Sequence, residues 1–416
     1  MPSSFRSFSL APIVALAGLA FACSSAPPPS DENAASTVQP IIHGVESDAS
    51  QDSVVLVFNS AAGFECSGTL IAPNLVLTAR HCVSATGSSL FCDVNGVGSS
   101  GGHIAGDFGA SVTFVFVGRT RPTDMNLAKN PDAKGTKFFH DDSTNTCNHD
   151  LALVLLDRDI PNVAIAQLRL DTKPDVTEKV TAVGWGVTET TNSPPVRMQR
   201  KGVRIISIGP KADAVAPVPP NEFKVGEDFC HGDSGGPGFA ESTGAVIGVV
   251  SRGGNGGGDP NVPNSGCIDS GGAVTTNFYT EVAAFKDVIL AAFQESGHDP
   301  WIEGQPDPRL AKFGEACTTG ANCRSAICHA ANGTSTCTQN CSTDACPDGF
   351  DCKDDAAAGT KICVAHVDPP PKNADATPSK SGCVAAPTSA SSSTALGLAF
   401  CGAVAILFAA RRRRRP

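Results

Sequence analysis

The chain has 416 residues, room for two or three domains. Seventeen cysteines stand beside two Trp, one Tyr and three Met, and 41% apolar against 17% charged residues excludes wholesale disorder. The net charge is −10, and outside the block Arg411 to Arg415 there are 26 basic against 41 acidic side chains, which excludes the basic face of a nucleic-acid partner.

Residues 1–22 read as a signal peptide. Arg6 precedes an apolar run from Phe8 to Phe21, and Ala20-Phe21-Ala22 matches a small-residue cleavage site. Pro27-Pro28-Pro29 follows too closely for a packed N-terminal helix. Cys23, before Ser24 and Ser25, resembles the lipidated cysteine of bacterial lipoproteins. Residues 23–40 then form a pro-segment and linker.

From residue 41 to 297 the chain alternates strand-sized apolar runs with Gly, Pro, Asn and Asp. The runs include Val54 to Phe58, Leu75 to Thr78, Val112 to Val117, Leu151 to Leu155, Val180 to Val183, Val203 to Ile208 and Ala245 to Val250. With no helical pattern between them, they predict an all-β domain, an antiparallel sandwich or a pair of barrels. One amphipathic helix closes the stretch, with Val282, Phe285, Val288, Ile289, Ala292 and Phe293 on one face.

Three short segments carry chemistry. Leu77-Thr78-Ala79-Arg80-His81-Cys82 ends one predicted strand, and Asn148-His149-Asp150-Leu151-Ala152-Leu153 begins another. The third is Cys230-His231-Gly232-Asp233-Ser234-Gly235-Gly236-Pro237. A serine hydroxyl is nearly inert at neutral pH unless an imidazole takes its proton and a carboxylate holds that imidazole's tautomer. Glycines around Ser234 allow a tight turn whose N–H groups, from Gly232 and Ser234, face a developing oxyanion. Alone, Gly232 to Gly236 would also fit the nucleophile elbow of an α/β-hydrolase. That fold needs a catalytic His after the serine, and only His298, His329 and His366 follow, all beyond the predicted sheet. His140, His149 and His231, with Asp141 and Asp142, read as surface residues.

Together these segments resemble the chymotrypsin-like, trypsin-type serine endopeptidases. The resemblance implies two packed six-stranded antiparallel β-barrels and a C-terminal helix. It implies His81 as base, Asp150 as its orienting acid and Ser234 as nucleophile, with Gly232 and Ser234 as the oxyanion hole. Asp228 falls at the floor of the specificity pocket, and Ser251 and Gly253 on the strand that binds substrate backbone, where Arg252 replaces a usual aromatic. Phe229 and Asn277 stand where smaller residues are usual. Gly184-Trp185-Gly186 is a further landmark. Disulfides Cys66–Cys82 and Cys230–Cys267 are implied, while a Cys92–Cys147 pairing stays open. Zymogen-type activation would bury a new N-terminus at Ile41 against Asp233, although Pro40 before Ile41 does not suit tryptic self-cleavage. No metal and no cofactor is implied, and the partners are protein or peptide substrates. The competing reading is a surface adhesion protein built on a non-catalytic protease-like scaffold.

Residues 298–313, polar and carrying Pro300, Pro306 and Pro308, read as a linker. Residues 314–364 then hold eight cysteines without a C-x-x-C pair, which favours disulfides over a zinc site and places the chain in an oxidising compartment. Residues 365–394 are rich in Pro, Ser and Ala. An apolar segment, 395–410, follows, long enough at about 24 Å for a marginal membrane span, then arginines that would stay cytoplasmic at 411–416. Ser381-Gly382-Cys383 before that segment resembles the MYXO-CTERM type of sorting tail, which implies a sorting protease as partner and a secreted or surface-anchored bacterial protein.

Overall fold

The computed structural model describes residues 41–367, apart from 88, 89, 215, 258, 260, 261 and 271. The expected signal peptide, pro-segment, Cys23 lipidation, sorting motif, membrane segment and arginine tail lie outside the described residues. No described helix is long and apolar enough to cross a membrane.

The apolar runs become strands of two six-stranded antiparallel barrels. In the first, β1 (Val54–Asn59), β2 (Phe64–Ala72), β3 (Leu75–Thr78), β4 (Thr113–Phe116), β5 (Ala133–Phe139) and β6 (Ala152–Leu156) close in the order β5-β6-β3-β2-β1-β4. Its interior holds Val55, Leu70, Val76 and Leu153, all fully buried. A Cβ on Gly68 of β2 would lie 2.7 Å from Val76 and 2.9 Å from Val57, so side chains here pack down to the backbone.

The second barrel is built from β7 (Lys179–Gly184), β8 (Met198–Ile208), β9 (Glu222–Val225), β10 (Pro237–Ala240), β11 (Val246–Gly254) and β12 (Thr276–Glu281). The order is β8-β7-β10-β11-β12-β9, closed by the β8–β9 pairing. Phe223, Ile247, Val250 and Tyr279 share its core. The closing helix, Lys286–Ser296, buries Ile289, Ala292 and Phe293 in the cluster of the first barrel and ends at Gly297 with φ +76°. The amphipathic stretch starts as a 3₁₀ turn, Val282–Phe285, since buried side chains three apart eclipse in that tighter helix.

Residues 298–313 lie along the first barrel's loops. Leu168 N–H donates to Trp301 O at 2.8 Å, Arg169 Nε to Glu303 at 2.6 Å, and Arg309 to Val163 O at 2.8 Å. Beyond them, four disulfides staple two small hairpins: Cys317–Cys328 and Cys323–Cys337, then Cys341–Cys352 and Cys346–Cys363. Each half interleaves its bridges in the same first-to-third, second-to-fourth pattern. Phe313 on Phe350, 4.8 Å apart edge to face, and His329 on Asp355 at 2.8 Å join the halves.

Candidate active site

Strand register assembles the site. In the antiparallel pair β3–β6, Thr78 faces Ala152 and Leu77 faces Leu153. The end of β3 therefore runs into the turn Arg80–Cys82 just where the chain before β6 delivers Asp150. Asp150 is fully buried and accepts three hydrogen bonds: His81 N–H at 2.9 Å, His81 Nδ1 at 2.8 Å and the Ser251 hydroxyl at 2.6 Å. Burial alone would lower the imidazole's pKa, but the charge and hydrogen bond of Asp150 outweigh it and hold the pKa above the ordinary histidine value. Burial pulls Asp150 upward, yet His81, Ser251 and the backbone donor hold its carboxyl below the usual range.

Ser234 comes from the second barrel, in the turn before β10. Its carbonyl accepts from Ser67 N–H on β2 at 2.8 Å and lies 3.6 Å from Cys82 Sγ, next to His81. Gly235, at φ +80°, lets the turn press onto the first barrel: a Cβ there would meet Thr78 Oγ1 at 2.1 Å. The surrounding turn is closed by Asp233 N–H to Cys230 O at 3.2 Å and Gly235 N–H to Val250 O at 2.9 Å. The N–H groups of Gly232 and Ser234 donate to no described residue. Gly232 has φ +95°, and a Cβ on it would meet Gly186 at 2.9 Å.

Two more carboxylates lie beneath this turn. Asp233 accepts from Gly186 N–H at 2.7 Å and Cys230 N–H at 3.0 Å, and no described cation pairs with it. Burial overrides both bonds and pushes its pKa up to about 7. A Cβ on Gly184 would lie 2.2 Å from Asp233 Oδ1, and one on Gly186 2.4 Å from Oδ2, so both glycines exist to admit this carboxylate. Asp228 accepts from Tyr279 OH at 2.6 Å while its other oxygen has no partner. Burial lifts it, too, to about 7.

Asn277 and Tyr279 alternate onto one face of β12. Tyr279 meets Asp228, and Asn277 leans on Gly253, where an added Cβ would lie 1.7 Å from its Oδ1. Both polar atoms of the Asn277 amide are buried without a partner. Phe229 instead packs into the barrel core, 5.3 Å edge-on to Tyr279.

The trypsin family profile matches residues 41–289. The chain belongs to the trypsin family. It is 30% identical over 224 residues to snake venom serine protease 3 of Craspedocephalus gramineus, covering 51% of this chain and 76% of that protein. Snake venom serine protease 5 of Trimeresurus stejnegeri is 29% identical over 215 residues, 49% of this chain and 72% of the relative. A bacterial trypsin, from Saccharopolyspora erythraea, is 28% identical over 236 residues, 54% and 85%. This trypsin-family chain is a chymotrypsin-like serine endopeptidase, acting on protein or peptide substrates.

Its catalytic domain carries three disulfides, Cys66–Cys82 behind His81, Cys230–Cys267 beside the Ser234 turn, and Cys92–Cys147 on the loop that leads to Asp150. The close-set groups of cysteines and histidines among the described residues consist of such oxidised sulfurs, which offer no thiolate to a metal. The structure does not bring Ile41 onto Asp233. Ile41 is buried beside Ala182 and Met198 with φ +45°, and His43 reaches Glu227 at 3.2 Å. His140 and His149 are half-buried and pair with Asp107 and Asp141. Sequence reasoning missed Glu222, buried at the start of β9 and bonded to both Asn148 and Arg252. A lone acid in a short strand gave no signal of it.

Proposed function

We propose that this endopeptidase cleaves peptide bonds through an acyl-enzyme on Ser234. Asp150 fixes a proton on His81 Nδ1, which leaves Nε2 free to take the Ser234 proton as Oγ attacks the scissile carbonyl. The N–H groups of Gly232 and Ser234 receive the oxyanion. His81 then returns the proton to the leaving amine, and water repeats the cycle to release the acid. The observation that carries this reading is the fully buried Asp150, held by the His81 backbone N–H, His81 Nδ1 and the Ser251 hydroxyl. The hydroxyl of Ser251 orients the acid, and the strand Ser251 to Gly253 pairs with substrate backbone.

The slot closed by Asp228 and Asn277 takes a substrate Arg or Lys. The unpartnered buried oxygen of Asp228, bonded to Tyr279, and the unpartnered amide of Asn277, two residues before Tyr279, suit a cation with several donors. Activation supplies the other missing cation: a protease other than the enzyme itself cuts before Ile41, and the new ammonium pairs with Asp233. Cys23, the sorting motif at Cys383 and the apolar 395–410 segment hold the protein outside the cytoplasm at a bacterial surface, and the seven disulfides among the described residues suit that compartment.

A fluorophosphonate probe tests the site. It labels Ser234 in the processed protein, and Ser234→Ala lowers turnover by ~10⁶-fold. Wild-type turnover in that variant, or labelling elsewhere, refutes the assignment.

A further inference from the structure

Glu222 is fully enclosed, its side chain 0% exposed, and so must be balanced by a partner. Arg252 meets it with one hydrogen bond, Nη1 to Oε1 at 2.8 Å, and an ion-pair contact of Nη2 with Oε2 at 2.6 Å, while Oε2 accepts no hydrogen bond among the described residues. Asn148 N–H also donates to Oε1 at 2.8 Å. The guanidinium lies over the Phe278 ring, 4.4 Å from its centre, and Phe278 in turn packs on Ala216 and Val218. One carboxylate thus fastens two segments that reach Asp150 independently. Asn148 stands just ahead of Asp150 on its loop, and Arg252 follows Ser251, whose hydroxyl holds Asp150.

We infer that Glu222 and Arg252 are positioning residues for Asp150, which lock the aspartate loop to the substrate-binding strand and keep the buried charge beside His81 at net zero. The inference rests on the triad reading above. Mechanically, Asn148 sits at φ +58°, a left-handed position that asparagine tolerates, and contacts on either side fix the turn. The Glu222 bond holds its backbone, and the Cys92–Cys147 bridge holds the residue before it. Electrostatically, burial raises the Glu222 pKa against the pull of Arg252, and the nearby Asp150 charge adds to that rise, so the two acids feel each other. Asp233, next to Ser234, is held by the Gly186 and Cys230 N–H groups, and the charges flanking His81 and Asp150 pair elsewhere. Arg80 turns to Asp107 at 2.7 Å, with His140 on the same carboxylate, and His149 pairs with Asp141.

The test is the acid limb of kcat/KM, measured on the processed protein with a fluorogenic peptide it cleaves, per site titrated by fluorophosphonate. Glu222→Gln leaves the Arg252 cation unbalanced, disfavours the imidazolium and moves the limb down by ~0.5–1 pH unit. Adding Arg252→Met to Glu222→Gln removes that cation and returns the limb to its wild-type position. A merely structural role would lower the titratable fraction and leave the limb in place. Arg252→Lys keeps the charge but loses the planar guanidinium that reaches both oxygens and lies over Phe278; its limb stays put while kcat/KM falls at least ~10-fold. A limb within ~0.2 unit of wild type in Glu222→Gln overturns the inference. If that variant does not fold, wild-type kcat/KM in Arg252→Lys overturns it. Failure of wild type to label at Ser234 would overturn the triad reading instead.

Discussion

Replacing Asp228 by Ser tests the specificity slot most sharply. The carboxylate is fully buried, keeps one hydrogen bond, from Tyr279 at 2.6 Å, and leaves Oδ1 unpartnered. Burial lifts its pKa from 3.8 to about 7, so ionising it without a counter-charge costs on the order of 4 kcal/mol more than in water at ~1.4 kcal/mol per unit. A substrate guanidinium that reaches Oδ1 and the Asn277 amide recovers most of that. An apolar side chain recovers none. Losing one partner of a buried pair costs about 3–5 kcal/mol, so Asp228→Ser should lower kcat/KM on Arg substrates by ~10²- to 10³-fold and leave small apolar substrates within ~3-fold.

The pH dependence gives an independent reading. kcat/KM reports groups of the free enzyme. His81 must be neutral, and its raised pKa puts the acid limb above ~6.5 for every substrate. Cationic substrates also need Asp228 ionised, which happens as pH rises through about 7. Their limb should therefore be steeper, tending to two protons, while apolar substrates show one. Paired fluorogenic peptides, differing only in the residue before the cleaved bond, measure both. Coincident limbs, with Asp228→Ser unchanged on Arg substrates, would show that this carboxylate does not read the substrate.

Gly186→Ala puts a methyl 2.4 Å from Asp233 Oδ2 and breaks bonds at 2.7 and 3.0 Å. At about 1.5–3 kcal/mol for each bond to a charged group, denaturant unfolding should show a loss of ~3–5 kcal/mol, and unaltered stability would mean that the carboxylate steps aside. Cleavage before Ile41 should stabilise the protein increasingly as pH rises towards neutrality. Asp233 has a folded pKa raised to about 7, so its stabilising contribution is complete below its unfolded value near 3.8 and is lost as pH rises through about 7. A new ammonium removes that loss, and a Tm difference between cleaved and uncleaved forms that is flat from roughly pH 5 to 7 would refute the pairing.

The strands that were legible are those whose buried positions are mostly apolar and contiguous. Val54 to Phe58 and Leu151 to Leu155 stood out because almost every position is buried. The strand Ala133–Phe139 was missed because Lys134, Thr136 and Lys137 occupy its exposed face, and Phe64–Ala72 because Cys, Ser, Gly and Thr interrupt it. Thr276–Glu281 and Glu222–Val225 were hidden for a different reason: they carry buried polar residues, Asn277, Thr280, Glu281 and Glu222, which break the apolar pattern of a buried strand. The candidate triad was readable because each member sits in a local pattern that turns and glycines impose. Glu222 was not, since its two partners lie 74 and 30 positions away. Nor could spacing choose among pairings of the eight cysteines in 317–363, although the two halves fold alike. The polar 298–313 segment looked like a free linker because Glu303 and Arg309 find their partners, Arg169 and Val163, across more than a hundred residues.

Four buried carboxylates surround the cleft, and their partners divide them into two kinds. Asp150 and Glu222 are matched by cations of the chain itself, His81 and Arg252, within hydrogen-bond distance. Asp228 and Asp233 have hydrogen-bond donors but no described cation in contact, and burial lifts both to about 7. A buried acid without a cation is a standing penalty unless something relieves it. On the reading proposed above, each unmatched acid is relieved from outside: Asp228 by the side chain of a bound substrate, Asp233 by an amino group that exists only after cleavage before Ile41. The matched pairs hold the machinery rigid in every state. The unmatched acids make its affinity depend on events, substrate arrival in one case and proteolysis in the other. The same physics of burial thus serves permanence on one side of the cleft and conditionality on the other, and the difference lies only in whether the chain encodes the counter-charge.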